Sequence, residues 1–235
     1  MTILIQRSNQ EEPQNYTVEL EGVTLLTLLN HIKTKIDSTL TYSHGCRSGV
    51  CGSCAVRVNG REQLMCEYKP NDGDRIEPIR NANVIRDLIV DSSPIARFNT
   101  LASAWSEGSR ESNVSEEEMS SIQTQSDCIL CASCYSACPV YAVNPDFIGP
   151  FALTRVWRYV SDVRETSSDA KMAAVQTNGI WDCTLCGECV PVCPQNIAPA
   201  QDIRMLRSKS GMMGYTDPNM TGMFGGGLDF GSPMF

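Results

Sequence analysis

The chain has 235 residues, 42% of them apolar and 20% charged, with a formal net charge of −8. That length allows two modest domains; no apolar run approaches a membrane span, and the acidic balance disfavours nucleic acid and direct binding to anionic lipid. The opening Met1-Thr2-Ile3-Leu4-Ile5-Gln6-Arg7 lacks the basic stretch and long apolar core of an export signal. A cytoplasmic chain is expected, with export of the finished complex on a partner's signal as the alternative, and in the cytoplasm twelve cysteines read as metal ligands rather than disulfides.

In chain order, residues 2–7 and 16–20 read as strands joined by the polar stretch 8–15. A helix is predicted from an N-cap at Thr24, with Leu25, Leu28, Leu29, Ile32 and Ile36 on one face. Segments 55–58 and 62–65 flank Asn59-Gly60, a pair suited to the positive φ angles of a hairpin turn. Residues 75–79 form a further strand. Strands, one helix and cysteines in a loop before the hairpin fit a β-grasp ferredoxin domain over residues 1–102. Residues 84–90 and 95–101 are predicted as short helices leading out of it.

Residues 103–115, rich in Ser, Gly, Glu and Arg, read as a boundary loop, and Ser115-x-x-Glu118 supplies a capping box for a helix towards Cys128. The longest helix starts at Pro150, with Leu153, Val156, Trp157, Val160 and Val163 at helical spacing. Shorter helices are predicted over 169–177, stopped near Gly179, and from Pro199 to about Arg207. Cys128-x2-Cys131-x2-Cys134-x3-Cys138-Pro139 recurs as Cys183-x2-Cys186-x2-Cys189-x3-Cys193-Pro194. The copies stand too far apart for a minimal two-cluster ferredoxin, so residues 103–210 are predicted as an all-α domain holding two cubane-type clusters. The fold class is α+β. Residues 211–235, with Gly225-Gly226-Gly227, read as a flexible tail; Met223, Phe224, Phe230 and Phe235 suggest a docking arm as the alternative.

The cysteines carry the chemistry. Cys46-x4-Cys51-x2-Cys54, with Cys66 across the hairpin, is the spacing that holds a plant-type [2Fe–2S] cluster. Iron–sulfur cores need soft, deprotonated thiolates, and Gly45, Gly49 and Gly52 let backbone amides approach the sulfurs and tune the potential. In the paired runs the cysteine before proline ligates the neighbouring cluster. Cys128, Cys131, Cys134 and Cys193 are therefore predicted to hold one [4Fe–4S] cluster, and Cys183, Cys186, Cys189 and Cys138 the other. This exchange staples the two halves of the domain, so cluster loss should unfold it. Zinc needs neither the Cys-x4-Cys-x2-Cys loop nor the crossover. Three loaded clusters take the net charge to roughly −14.

His31, on the predicted helix, reads as solvent-facing or structural, and His44 is placed to tune the [2Fe–2S] site. Asp and Glu are scattered as on a solvated surface. With no Ser-His-Asp set, phosphate-cradling loop or catalytic carboxylate pair, no residue is assigned a catalytic role. The chain reads as an electron relay.

Cys46-Arg47-Ser48-Gly49-Val50-Cys51-Gly52-Ser53-Cys54, Asn59-Gly60, Cys66, the stretch 84–91 (VIRDLIVD), Cys128-Ile129-Leu130-Cys131-Ala132-Ser133-Cys134, Cys138-Pro139-Val140-Tyr141 and Gly149-Pro150 together resemble the iron–sulfur subunit of the succinate dehydrogenase/fumarate reductase family. The resemblance extends to about residue 207. It implies electron transfer between an FAD-bearing flavoprotein, where fumarate and succinate interconvert, and a third partner. The [2Fe–2S] end would face the flavin, and partner subunits would hold the complex at the inner face of the plasma membrane.

Three departures from the family pattern matter. In most members the position of Cys186 is not cysteine, and a [3Fe–4S] cluster is held by residues matching Cys138, Cys183 and Cys189. Here Cys186 supplies a fourth thiolate and [4Fe–4S] is expected, with a spare thiol beside a three-iron cluster as the alternative. Ala142 and Val143 replace tryptophans, and Thr184 a histidine, of the family's quinone pocket. The pattern resembles the branch whose third partner is a cysteine-rich, heterodisulfide-reductase-like subunit rather than a haem-bearing membrane anchor, working with a quinol or a thiol pair; a membrane anchor is the alternative. Two other readings are the iron–sulfur subunit of another flavin-dependent dehydrogenase, disfavoured by the [2Fe–2S] domain, and a zinc-stabilised interaction module.

Overall fold

The computed structural model describes residues 1–8, 10–108 and 113–218. Five short strands, β1 (Thr2–Ile5), β2 (Gln14–Thr17), β3 (Ala55–Val58), β4 (Arg61–Leu64) and β5 (Arg75–Glu77), form a sheet ordered β2-β1-β5-β3-β4. β1 and β5 run parallel, the other pairs antiparallel. Strand alternation buries Ile3, Ile5, Val56, Val58 and Ile76, which share a core with Leu25, Leu28, Leu29 and Ile32 of α1 (Leu25–Lys35). Thr24 caps α1, its hydroxyl accepting from the Thr27 N–H at 3.3 Å. Ile36 falls at the C-cap and is exposed. Asn59 and Gly60 take φ of +50° and +85°, as a two-residue hairpin of type I′ requires. This is the β-grasp arrangement predicted from the sequence.

The helix predicted over 84–90 is instead a bulged two-stranded ribbon, β6 (Val84–Arg86) and β7 (Ile89–Val90). Branched Val84, Ile85, Ile89 and Val90 favour strands, and Asp87 at the turn (φ +47°) is held from afar. Its carboxylate accepts from Arg7 Nε at 3.0 Å, Ser8 N at 3.2 Å and Thr41 N at 2.9 Å. Arg7, 5% exposed, also reaches Asp37 at 2.6 Å and donates to Tyr16. Hydrogen bonds from Thr39 and Tyr16 hold the Asp37 carboxyl well below the usual carboxylate range. Burial pushes Asp87 up, but the Arg7 bond and the Ser8 and Thr41 amides outweigh it and leave it lowered. Lowered folded-state pKa values give stability that is present above about pH 4 and lost as pH falls. Arg7→Met should therefore cost about 3–5 kcal/mol at pH 7 and clearly less at pH 3, read as the difference in urea midpoint from wild type.

The remaining elements are helical: α2 (Ser93–Leu101), α3 (Glu116–Ser126), α4 (Ser133–Ser136), α5 (Pro139–Val143), α6 (Pro150–Val160), α7 (Ser168–Ala174) and α8 (Pro199–Met212). The Ser115–Glu118 capping box opens α3. α6 is the hub, burying Phe151, Ala152, Leu153 and Val156 in a core shared with Ile203 and Leu206 of α8. It stops before Val163 because Asp162 turns the chain, accepting from the Arg164 N–H at 3.0 Å. α2 differs from expectation in its packing. Phe98 enters the helical core beside Tyr135 and Tyr141, at ring distances of 5.5 and 5.6 Å, so the expected boundary at 102/103 falls at the far end of a helix that packs with the second half. α8 also outruns its predicted end. Ser210 is buried and bonded to Gln176 Nε2 at 2.8 Å, carrying the helix into the segment read as a tail; Met223, Phe224, Phe230 and Phe235 lie outside the described residues.

Candidate metal centres

The loop between α1 and β3 carries Cys46 and Cys51 exposed, with Cys54 buried at its end. Cys66, also buried, follows β4 with its Sγ 3.5 Å from that of Cys54. Arg47, Gly49 and Gly52 all adopt positive φ, folding the loop so that amides point at sulfur. Ser48 N and Val50 N approach Cys46 Sγ at 3.4 and 3.3 Å, Cys46 N approaches Cys51 Sγ at 3.3 Å, and Gly49 N approaches Cys66 Sγ at 3.3 Å. The Ser48 and Val50 amides draw the Cys46 thiol down to about 6. Burial pushes Cys54 up to about 12. A donor set with amides already directed at sulfur suits a cationic iron–sulfide core, whose binding displaces the remaining thiol protons.

In the helical half, Cys128, Cys131, Cys134 and Cys193 line one cavity with Thr154 and Pro194. Cys138 interacts electrostatically with Cys183 and Cys186, and Cys189 with Cys183 and Cys138. The fourth cysteine of each run thus stands with the first three of the other. Both runs share a strained backbone: Leu130 and Leu185 take φ of +54° and +56°, and the residues after the second cysteine, Ala132 and Gly187, take +61° and +84°. Left-handed geometry costs a residue with a Cβ roughly 1–2 kcal/mol, and here it aims amides at sulfur, with Leu185 N 3.3 Å from Cys183 Sγ. Cys138 caps α5, accepting from Tyr141 N at 3.4 Å. Burial pushes Cys189 up to about 12, against a hydrogen bond from the Ala200 amide in the first turn of α8. The donors fit multi-iron cores.

Several residues that serve these centres were not legible beforehand. At Gly52 (φ +70°) a Cβ would meet Cys131 Cα and Ile129 O at 2.8 Å, so two cysteine loops from the two halves touch backbone to backbone. Around this contact Gln195 Nε2 donates to Gly49 O at 3.1 Å, Ser136 Oγ to buried Glu62 at 2.5 Å, and Asn81 Nδ2 to Tyr135 O at 2.8 Å. Gly52→Ala should destabilise the protein by about 1–2 kcal/mol or more. It should also slow electron transfer between the first two centres, measured by rapid-freeze paramagnetic resonance with both signals retained. Arg207 donates to Ile180 O at 2.7 Å and Cys183 O at 2.5 Å and lies over the Trp181 ring at 5.5 Å, fixing the entry to the last loop. The acidic residues do not all lie on the surface as expected: Glu62, Asp74, Asp87, Asp162, Glu165 and Asp202 are buried. His31 is half-buried on α1, and His44 is exposed with its ring 5.9 Å from that of Tyr42.

Residues 2–97 match the family described as a 2Fe-2S iron-sulfur cluster binding domain, and residues 124–197 match the 4Fe-4S dicluster domain. Fold and sites together define an iron–sulfur electron-transfer protein. The chain is 38% identical over 213 residues to the 8-methylmenaquinol:fumarate reductase iron-sulfur subunit of Wolinella succinogenes, covering 83% of this chain and 67% of that one. It is 38% identical over 192 residues to the fumarate reductase iron-sulfur subunit of Mycobacterium tuberculosis, covering 76% and 77%. Its fold matches a chain of the Mycobacterium smegmatis Sdh1 complex in the apo form with a TM-score of 0.80 at 23% identity, over 92% of this chain and 98% of that one. The chain belongs to the family of fumarate reductase and succinate dehydrogenase iron–sulfur subunits. It is a non-catalytic, electron-transferring part of an oxidoreductase that includes a flavoprotein. No helix among the described residues is long and apolar enough to cross a membrane.

Proposed function

We propose that the chain is a three-centre wire with a full cubane at its far end. Cys46, Cys51, Cys54 and Cys66 hold [2Fe–2S]; Cys128, Cys131, Cys134 and Cys193 hold [4Fe–4S]; Cys138, Cys183, Cys186 and Cys189 hold a second [4Fe–4S]. The observation that carries this reading is the exchange of fourth cysteines between the two runs. The wire divides into a ferredoxin half ending before α2 and a helical half from α2 to about residue 210. The clusters, when bound, supply one-electron storage; the protein's amides stabilise the sulfurs, and the Gly52–Cys131 contact closes the gap between the halves.

Val50, 66% exposed between Cys46 and Cys51, supports docking of the flavoprotein at the first centre. At the other end Val143 is 83% exposed, and Ala142, Thr184 and Cys186 also face outward. Exposed apolar side chains on α5 and an exposed thiol on the last cysteine loop support a protein partner there, which we assign as the cysteine-rich third subunit. That partner would also provide the attachment to the inner face of the membrane. The name of the Wolinella relative, an 8-methylmenaquinol:fumarate reductase subunit, supports a quinol over a thiol pair as the distal donor. With the purified complex, a menaquinol analogue should reduce all three centres anaerobically and fumarate should reoxidise them. Reduction by a dithiol alone, with quinol inert, would reverse the choice of donor.

A further inference from the structure

One buried carboxylate joins a cluster cavity to solvent. Asp202 on α8 is 3% exposed. Its Oδ2 accepts from Thr154 Oγ1 at 2.8 Å and its Oδ1 from Gln125 Nε2 at 2.9 Å. Thr154, itself buried, lines the cavity with Cys128, Cys131, Cys134 and Cys193. Gln125 lines an open polar cleft with Ser126, Arg155, Arg158, Tyr159 and Asp162. The order cavity, Thr154, Asp202, Gln125, cleft therefore runs from the sulfurs to water.

We propose that Asp202 is the proton acceptor coupled to reduction of the centre held by Cys128, Cys131, Cys134 and Cys193. The proposal rests on that ligand assignment. Asp202 takes one proton from solvent, through the cleft beside Gln125, for the one electron the centre receives from its neighbour in the relay. It returns that proton when the electron leaves, so the buried charge changes little in either direction.

The amide of Gln125 is suited to both states of Asp202. Its Nε2 donates to the carboxylate, while its Oε1 is buried without a hydrogen-bond partner. A rotated amide offers that oxygen to the Oδ1–H of the protonated acid. Burial raises the Asp202 carboxyl to about 6, against the lowering effect of the Thr154 and Gln125 bonds. Negative charge arriving across Thr154 raises it further.

The charged residues of the elements that meet at Asp202 are Glu116, Glu117, Glu118 and the C-cap Asp127 on α3, Arg155 and Arg158 on α6, and Arg204, Arg207 and Lys209 on α8, with the cysteines across the cavity. Arg158 is held by Asp162 at 2.8 Å, Arg155 by the Tyr159 hydroxyl at 2.9 Å and Arg204 by Gln201 at 3.2 Å. Arginine does not titrate in this range.

Potentiometric titration of the intact complex, followed by paramagnetic resonance between pH 5 and 9, tests the assignment. In wild type, reduction of this centre should become harder above about pH 6, by up to tenfold in equilibrium constant per pH unit, or ~59 mV for a one-electron couple. Asp202→Asn should abolish the slope and hold the wild-type low-pH potential at pH 8. Thr154→Val should keep the slope with its onset moved to higher pH. The [2Fe–2S] signal serves as an internal reference. A flat wild-type profile, or a wild-type slope retained in Asp202→Asn, overturns the proposal; the wild-type profile decides even if that variant does not fold. Absence of every [4Fe–4S] signal from the wild-type complex, beside an intact [2Fe–2S] signal, would overturn the ligand assignment instead.

Discussion

Replacing Cys193 by alanine should melt the helical half and leave the ferredoxin half folded. Cys193 belongs to the second run but stands in the cavity of the first, so its thiolate ties together segments that otherwise meet through α6 and α8. α4 and α5 have four and five residues, far too short to persist alone, and Cys134, Cys138 and Cys189 are part of the helical core itself. Structural metal sites can contribute about 10–16 kcal/mol, as much as a domain's entire net stability of about 5–15 kcal/mol. Removing one crossover ligand therefore threatens the domain and not just one centre. The expected outcome is loss of roughly eight irons per chain and of most helical circular dichroism. The Cys46–Cys66 site should keep its [2Fe–2S] signal, because its core is built separately around the sheet and α1. A variant that lost iron yet kept native helicity and melting temperature would show that the exchange of cysteines is not a structural staple.

Cys186→Ser should leave the fold intact and change the terminal centre. Cys186 is exposed and contributes nothing to the core, so its removal creates no cavity. Its backbone neighbour Leu185 is left-handed, a conformation that costs a residue with a Cβ energy and persists where a function demands it. Without this thiolate one iron loses its protein ligand, and the expected product is a three-iron centre held by Cys138, Cys183 and Cys189. Iron should fall by about one atom per chain, the characteristic three-iron signal should appear in the oxidised protein, and the potential of that centre should rise with the loss of a negative ligand. An unaltered spectrum would mean that Cys186 is a spare thiol.

The α+β class and the two cluster-binding halves were legible because cysteine spacing and strand alternation are local properties. What escaped was set by distant partners. The stretch 84–90 has apolar residues at spacings that suit either a helix or a strand, and the choice rests with Arg7, which reaches Asp87 from the opposite end of the domain. Phe98 reads as a helix face, but nothing local says that Tyr135 and Tyr141 receive it. Gly52 signals a close approach without naming Cys131 as the neighbour. Asp202 reads as one more surface carboxylate until Thr154 and Gln125 are seen to enclose it.

Chemical analysis of the anaerobically purified complex, with spin quantitation, bears most directly on the three-centre wire. Three full clusters require roughly ten irons and ten acid-labile sulfides per chain, with one [2Fe–2S] and two [4Fe–4S] signals appearing on reduction. Sulfide absent, or zinc in place of iron on the same twelve thiols, would contradict it outright.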